Sequence, residues 1–566
     1  MALFSEFAQL HDKKVMRAIR ASDLTHQQKK AALHAINIIK EKRDGKVKGR
    51  TCADGRKQRG LYTKEETASP TISNDSLFAI ILLSAAERRK MTSWDVEGAY
   101  LLADMGEFVL LKFVGTSVDI LCKVEPKYED FVAYENGKKV LYLQLLKALY
   151  GTLRAALLWY ELYVSKLQGL GFKLNPYDLC VANKMIQGKQ CTIGWYVDDN
   201  VATHVDQSVL DNLKESVREH VGAITHTDGD THDFLGMTIT MNDDGTVSIK
   251  MDKFVQDCID AFPEHVKKGC STPATNHLFT IDPTSPKLSK AKADQFRSIV
   301  MKIMYVAQRC RLDLQTALAF LCTRVDKSTE EDWTKLRRLV TYMNGTKDEF
   351  LTLGAENTNE LLSFTDASFA VHQDMKSHTG GGVSFGRGFF MTRSTKQKMN
   401  SGSSTEAEII GAAEYLPNVI WLMKFLKEQG KGVTYSTFYQ DNESAIKLEK
   451  HGKQSSSRRS RHFDIKLFNV KDKVQQNGID IVHCPTDRMV ADFFTKPLQG
   501  SLFRRMKSAI LGGESLRSFE LPSPRAAPKE RVAQNNDSCN IVRDIEVGAT
   551  SRKTYLEVAR HNATSK

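Results

Sequence analysis

A chain of 566 residues with 41% hydrophobic and 26% charged residues is long and apolar enough for several globular cores, which excludes a wholly disordered polymer. Its 80 Lys and Arg against 68 Asp and Glu leave a formal net charge of +12, which favours a polyanionic partner, nucleic acid first. Ten cysteines without a C-x-x-C pair give neither a disulfide framework nor a zinc site and fit a reducing compartment. The N-terminus lacks a signal-peptide pattern, and the longest apolar stretch, 77–86, is too short to cross a bilayer. A soluble intracellular protein with no membrane association is expected.

In chain order, residues 1–40 carry Leu10, Val15, Ile19, Leu33, Ile36 and Ile39 at mixed helical spacings and predict an N-terminal helical segment. The basic, glycine-punctuated run 41–60 predicts a β-hairpin carrying cations. A helix is expected at 76–90, a strand at 92–100, and a short extended run leading into a long helix within 140–172. Residues 191–204, "CTIGWYVDDNVATH", read as a hairpin with Asp198 and Asp199 at its turn. Residues 232–251 read as two alternating strands around a D-D-G turn. From about 250 to 350 the pattern is helical, and from 361 strands and helices alternate again. The last 50 or so residues are polar with few apolar anchors and predict a disordered tail. The domains expected are 1–40, 41–260, 261–355, 356–512 and 513–566.

A turn explains Asp198 and Asp199, but so does a metal site lifted to a strand tip. Nucleotidyl transfer commonly uses two divalent ions about 3.5–4 Å apart, bridged by aspartates. Neighbours on one strand point to opposite faces, so such a site needs carboxylates from separate strands. Asp95, in "WDVEGAY", is the candidate partner; by spacing alone it reads as a solvated strand-end aspartate.

Context favours the metal site. "WDVEGAYLLADM", "LLKALYGTLRAALLWYELYVSKLQGLGF", "WYVDD", "HDFLGMTI", "FRSIVMKIMYVAQRCRLDLQTALAFL" and "LRRLVTYMNGT" stand in the order found in copia-type LTR-retrotransposon reverse transcriptases, which the chain resembles. "SFTDASFA", "SGSSTEAEIIGAAE", "YQDNESAI", "RSRHFDI" and "ADFFTKPL" continue that order and resemble the attached ribonuclease H domain. The resemblance implies an α+β fold: a right-hand polymerase with fingers and palm over 41–260, a helical thumb and connection over 261–355, and an α/β ribonuclease H-like domain over 356–512.

It further implies that Asp95, Asp198 and Asp199 hold two Mg²⁺ ions, or Mn²⁺, with the carbonyl of Val96 completing one coordination sphere. Tyr100 would stand under the sugar and select deoxynucleotides, where a plain core tyrosine is the alternative. Lys48 and Arg50 of the fingers hairpin would grip the triphosphate, and Tyr150 and Gly151 would line the nucleotide-sugar pocket. In the nuclease half, Asp366, Glu406, Asp441 and Asp492 match the four metal-binding acids; Glu408 is the rival to Glu406, and the alignment of "TEAE" favours Glu406. His483 reads as a strand-end histidine, and His462 and Asp464 match a family motif without an assignable chemistry.

The partners implied are an RNA template, a DNA primer, an RNA–DNA hybrid and dNTPs, with integrase, protease and Gag as fellow products of the parent Gag-Pol. The expected location is a cytoplasmic virus-like particle, or the nucleus. No zinc knuckle, integrase zinc pattern or protease Asp-Ser/Thr-Gly motif is found, so a fragment of a Pol polyprotein that begins within or just before the fingers is expected. Arg154 and Ala156 replace the Gln and Pro usual after "ALYG", and Leu312 replaces a usual Pro. These departures leave open a second reading, a nucleic-acid-binding remnant without catalysis.

Overall fold

The computed structural model describes residues 1–41, 45, 47–266, 269–452 and 465–523. It opens with helix α1 (Ala2–Asp12), strand β1 (Met16–Ile19) and a short helix α2 (His26–Ala31). Strands β2 (Leu33–Glu41) and β3 (Val47–Ala53) then pair as an antiparallel hairpin, from Ala35 opposite Ala53 to Glu41 opposite Val47. The helical expectation for 1–40 therefore holds only for 2–12 and 26–31. Leu33, Ile36 and Ile39 belong to a strand, because the β-branched run "INII" suits a pleated surface and finds its backbone partners in β3. Ile36, Ile38 and Ile39 are all exposed, so no helical face is buried there.

The chain continues through α3 (Asn74–Ala86), β4 (Lys90–Val96), β5 (Asp104–Val114), α4 (Thr116–Val124), β6 (Ala133–Glu135), β7 (Lys138–Lys147) and α5 (Ala155–Gly169). Strands β8 (Lys173–Asn175), β9 (Asp178–Ile186), β10 (Lys189–Tyr196) and β11 (Asp199–His204) follow, then α6 (Gln207–Val221) and β12 (Ile224–Asp228). One sheet runs β1-β7-β5-β2-β3, with β6 on β7; a second runs β12-β4-β11-β10-β9-β8. Ser84 apart, α3 is apolar and buried from Leu77 to Ala85. A helix apolar all round needs partners all round, and the later strands supply them.

Three strands, where two were expected, occupy 231–250: β13 (Thr231–Phe234), β14 (Met237–Met241) and β15 (Thr246–Lys250). Leu235 and Gly236 take φ of 50° and 74°, which turns the chain inside "HDFLGM". The helical stretch is α7 (Asp252–Asp260), α8 (Lys290–Ala307), α9 (Gln315–Cys322) and α10 (Glu330–Gly345), after which β16 (Leu351–Ala355) returns to pair with β15. Within "RCRLDL", Arg311 and Asp313 form a fully buried ion pair at 2.8 Å, and Tyr342 Oη also donates to Asp313 at 2.8 Å. Removing one partner of such a pair costs about 3–5 kcal/mol, so this motif is a structural clamp. Leu312, at the usual Pro position, is buried beside it.

The last part comprises β17 (Glu360–Ser368), β18 (His378–Ser384), β19 (Gly386–Arg387), β20 (Phe390–Lys396), α11 (Ser404–Glu428), β21 (Tyr435–Gln440), α12 (Glu443–His451), α13 (Ile465–Asn477), β22 (Ile479–His483) and α14 (Gly500–Leu511). Its sheet runs β20-β18-β17-β21-β22, with β17, β21 and β22 mutually parallel. A further sheet, β13-β14-β15-β16-β19, draws strands from both sides of the expected boundaries at 260 and 355. Residues 1–522 form one compact unit.

Helix α11 is long and apolar enough to cross a membrane, but its apolar window is 56% buried inside the protein. It lies against β17 and β18 and reaches the β8–β9 edge, where Trp421 Nε1 donates to the Tyr177 carbonyl at 3.1 Å and Asn175 Nδ2 to that of Phe425 at 3.2 Å. The expected tail is a correction in part: Leu516 and Phe519 are buried, and Arg488 donates to the Glu520 carbonyl at 2.6 Å. Residues 524–566 lie outside the described residues.

Candidate active sites

The first site is built on the β10–β11 hairpin. Val197, a β-branched residue, takes φ of 61° at its turn, a strained conformation that the surroundings must hold. Trp159 Nε1 donates to the Val197 carbonyl at 2.8 Å, and Asn200 Nδ2 to the Asp198 carbonyl at 2.7 Å. Tyr163 Oη donates to Asn200 Oδ1 at 2.6 Å, and its ring stacks on Trp159. From the other side the Val96 amide donates to the Asp198 carbonyl at 3.1 Å.

Register then lines up the carboxylates. Asp199 stands opposite Asp95 on β4 and opposite Tyr196 on β10. Directly opposed residues share a face of the sheet, so Tyr196, Asp199 and Asp95 form one row with Asp198 beside it in the turn. Burial pushes the Asp199 carboxyl up to about 6, and the negative charges of Asp198 and Asp95 push the same way. Hard oxygen donors crowded until they repel suit a divalent cation such as Mg²⁺ or Mn²⁺.

The β2–β3 hairpin closes one side. The Arg50 guanidinium lies 4.3 Å from the centre of the Tyr150 ring, and the Tyr150 and Tyr100 rings are 4.7 Å apart. Burial pushes Tyr150 up to about 12, with Arg50 opposing and Asp198 assisting. Gly151 has φ of 90°, and a Cβ there would stand 2.1 Å from the Ala53 carbonyl oxygen; the Ala53 amide donates to the Tyr150 carbonyl at 2.7 Å. The end of β3 is thus seated on Tyr150–Gly151, which places Arg50. Lys48 is exposed two residues away on the same face of β3. Val96 is buried beneath the row. Arg154 and Ala156 lie at the start of α5, Arg154 3.8 Å from Glu107 and neither among the acids.

Nothing in the sequence pattern singles out Arg309, at the end of α8. Its guanidinium lies 3.7 Å from the centre of the Tyr305 ring, within electrostatic reach of Tyr196. Tyr305 Oη donates to the Leu235 carbonyl at 2.8 Å, bracing the β13–β14 turn.

The second site gathers acids at the C-terminal ends of parallel strands. Asp366 on β17, Glu408 on α11 and Asp441 just past β21 bring one carboxylate oxygen each within 4.8 Å of one another. Burial, then the charges of Asp366 and Asp441, hold the Glu408 carboxyl well above the usual range, and Asp441 is raised by burial and by Asp366. Asp492, in a short turn of 3₁₀ helix, is pushed up to about 7 by burial and Asp366, with Lys496 opposing. Lys496 Nζ donates to Asp492 Oδ1 at 2.7 Å and stands 3.6 Å from Asp366 Oδ1; Thr495 Oγ1 donates to Asp366 Oδ2.

Glu406 is a correction. Its amide donates to Ser403 Oγ at 3.1 Å, and its carboxylate accepts from the Gly402 amide at 2.6 Å. It caps the N-terminus of α11, while Glu408, two residues or about 200° further round the helix, faces the sheet. The signal was present: Ser403-x-x-Glu406 is the spacing of a capping box. His483 is exposed at the end of β22, and His462 and Asp464 lie outside the described residues.

The family described as reverse transcriptase (RNA-dependent DNA polymerase) matches residues 20–276, which contain Asp95, Asp198 and Asp199. The chain is 26% identical over 485 residues to the retrovirus-related Pol polyprotein from transposon TNT 1-94 of Nicotiana tabacum, covering 84% of this chain and 35% of the relative. It is 23% identical to the transposon Ty1-NL2 Gag-Pol polyprotein of Saccharomyces cerevisiae, covering 84% of this chain and 27% of the relative. The chain therefore spans about a third or less of the length of these relatives. A solved structure of a foamy viral protease-reverse transcriptase in complex with double-stranded DNA is similar at a TM-score of 0.47 and 12% identity, over 84% of this chain and 67% of that one. Residues 20–276 thus carry a reverse transcriptase domain, and over most of its length the chain is similar to copia-type retrotransposon Pol polyproteins.

Proposed function

We propose that this chain is an RNA-directed DNA polymerase carrying a second, ribonuclease H-type nuclease site. The observation that carries the reading is the row formed by Asp95 and Asp199 on paired strands, with Asp198 in the turn, inside the matched reverse transcriptase domain. These three acids would hold divalent ions, Mg²⁺ or Mn²⁺, which lower the barrier to attack by a primer 3′-hydroxyl and neutralise the triphosphate.

The rest falls to the chain's own side chains. Arg50, held over Tyr150, offers a guanidinium fork to phosphate oxygens, and Lys48 adds a point charge further along the hairpin. Tyr100, packed on Tyr150, walls the sugar site and would exclude a 2′-hydroxyl. Val96 contributes backbone, and Gly151 lets the fingers strand approach. Arg309 and Tyr196 lie where a nucleic-acid strand would meet the row, and the net charge of +12 suits a phosphate backbone.

In the nuclease half, Asp366, Glu408, Asp441 and Asp492 would support metal-assisted hydrolysis of the RNA strand of a hybrid, recognised in part by its 2′-hydroxyls. Template RNA, DNA primer, hybrid and dNTPs are the partners this reading requires. Integrase, protease and Gag would be companions in the parent Gag-Pol, and a virus-like particle in the cytoplasm or the nucleus the setting.

The test is Mg²⁺-dependent dNTP incorporation on a primed RNA template, alongside cleavage of the RNA in a hybrid. Asp198→Asn/Asp199→Asn should abolish incorporation and spare cleavage, and Asp366→Asn should do the reverse. A folded wild-type chain inert in both assays, with Mg²⁺ and Mn²⁺, would overturn the reading.

A further inference from the structure

Lys496 is an unexpected member of the nuclease cluster. Three acids bring their oxygens together, but Asp492 is not one of them. Its Oδ1 is engaged by the Lys496 ammonium at 2.7 Å, which also stands 3.6 Å from Asp366 Oδ1. The lysine is not driven there by lack of water. Its side chain is 37% exposed and lines a cavity of about 450 Å³ together with Ser368, His372 and Thr495.

The backbone fixes the arrangement. The Lys496 amide donates to the Asp492 carbonyl at 2.9 Å, the Thr495 amide to the same oxygen at 3.2 Å, and the Thr495 hydroxyl to Asp366. Residues 492–496 thus form one short turn that directs the Thr495 hydroxyl and the Lys496 ammonium to the acids.

A divalent ion bridging Asp366 and Asp492 would need oxygens at roughly 2.0–2.1 Å, in the space where the ammonium now sits. Two cations that close repel strongly in a partly buried site. We propose that Lys496 takes the place of one metal ion: the nuclease site binds a single divalent ion between Asp366, Glu408 and Asp441, and the lysine ammonium, fixed between Asp366 and Asp492, supplies the second positive charge. This rests on the nuclease reading of the cluster.

The test counts ions. In the full chain, Asp95→Asn/Asp198→Asn/Asp199→Asn silences the first site, and bound Mn²⁺ is measured by electron paramagnetic resonance. A hybrid with a 2′-O-methyl RNA strand is present to fill the site without cleavage. The count is the excess over the same protein carrying Asp366→Asn. One Mn²⁺ per chain is expected, rising to two in Lys496→Met and in Lys496→Gln. Two ions with Lys496 intact would overturn the proposal while leaving the nuclease reading standing, and that measurement needs no variant at 496. One ion both with and without the lysine would overturn it as well. No ion above the baseline in any protein would sink the nuclease reading, and the role of the lysine with it.

Discussion

Asn200 donates from Nδ2 to the carbonyl oxygen of Asp198 at 2.7 Å, so the turn bearing the two carboxylates is fastened by a buried side chain on the strand behind it. Asn200→Ala breaks this bond and leaves the buried Tyr163 hydroxyl without its acceptor, at a cost of about 1–3 kcal/mol. With the turn free to shift by an ångström, the incorporation rate should fall by roughly 100-fold. Steady-state kinetics should show the loss mainly in kcat, with the KM for dNTP little changed, since Arg50 and Tyr150 lie on other elements.

Glu406 and Glu408 should part company on substitution. Glu408→Gln should abolish cleavage of the RNA strand while raising the Tm of the metal-free protein at pH 8, because it removes a buried carboxyl crowded by Asp366 and Asp441. Glu406→Gln keeps a side chain able to cap the helix and should leave both cleavage and Tm near wild type. A hybrid-cleavage assay beside thermal melts of the two variants decides it.

Mg²⁺ should stabilise the protein more at pH 8 than at pH 5. Asp199 is raised to about 6 from 3.8. The metal-free folded state therefore holds a proton that the unfolded state releases, and its stability falls as pH rises from about 4 through 6. A divalent ion supplies the missing positive charge once the proton leaves. Thermal melts with and without Mg²⁺ should show a larger gain in Tm at the higher pH, and Asp199→Asn should reduce the difference.

Glu449 on α12 is buried, and among the described residues neither of its carboxylate oxygens has a hydrogen-bond partner. Burial pushes its carboxyl up to about 8, while the Gln440 amide, which donates to Glu408 instead, and the Lys450 charge offset it only in part. The raised value means that stability is greatest below the unfolded value of 4.5 and is lost as pH climbs through 8, at up to about 1.4 kcal/mol per pH unit. Glu449→Gln should raise Tm at pH 8 and change little at pH 5, as differential scanning calorimetry would show.

How much of this was legible beforehand varied with how local its cause was. Asp95, Asp198 and Asp199 could be grouped because a strand and a turn are local patterns, and the β4–β11 register needed only to bring them opposite. The strand at 33–41 is not legible locally, because its partner, β3, begins only at Val47 and the apolar spacing alone suits a helix. Glu408 lost to Glu406 because one stretch of sequence starts a helix and also serves the site, and the cap and the ligand are both glutamates. Leu516 and Phe519 anchor residues 513–523 with too few apolar side chains to stand out from polar surroundings. Lys496 leaves no signal in the sequence, because metal-ligand patterns are made of acids and a cation among them has no motif of its own.

The packing of α3 bears on how substrate travels. That helix is buried between the second sheet and strands β15, β16 and β20, while Trp421 and Asn175 tie α11 to the β8–β9 edge. Both carboxylate clusters therefore belong to one folded body, and their spacing is fixed when the chain folds. On the proposed reading, a hybrid passing from one to the other would advance along the protein, with the chain acting as a ruler. Cuts in the RNA should then trail the growing end by a constant number of base pairs, whatever the sequence being copied.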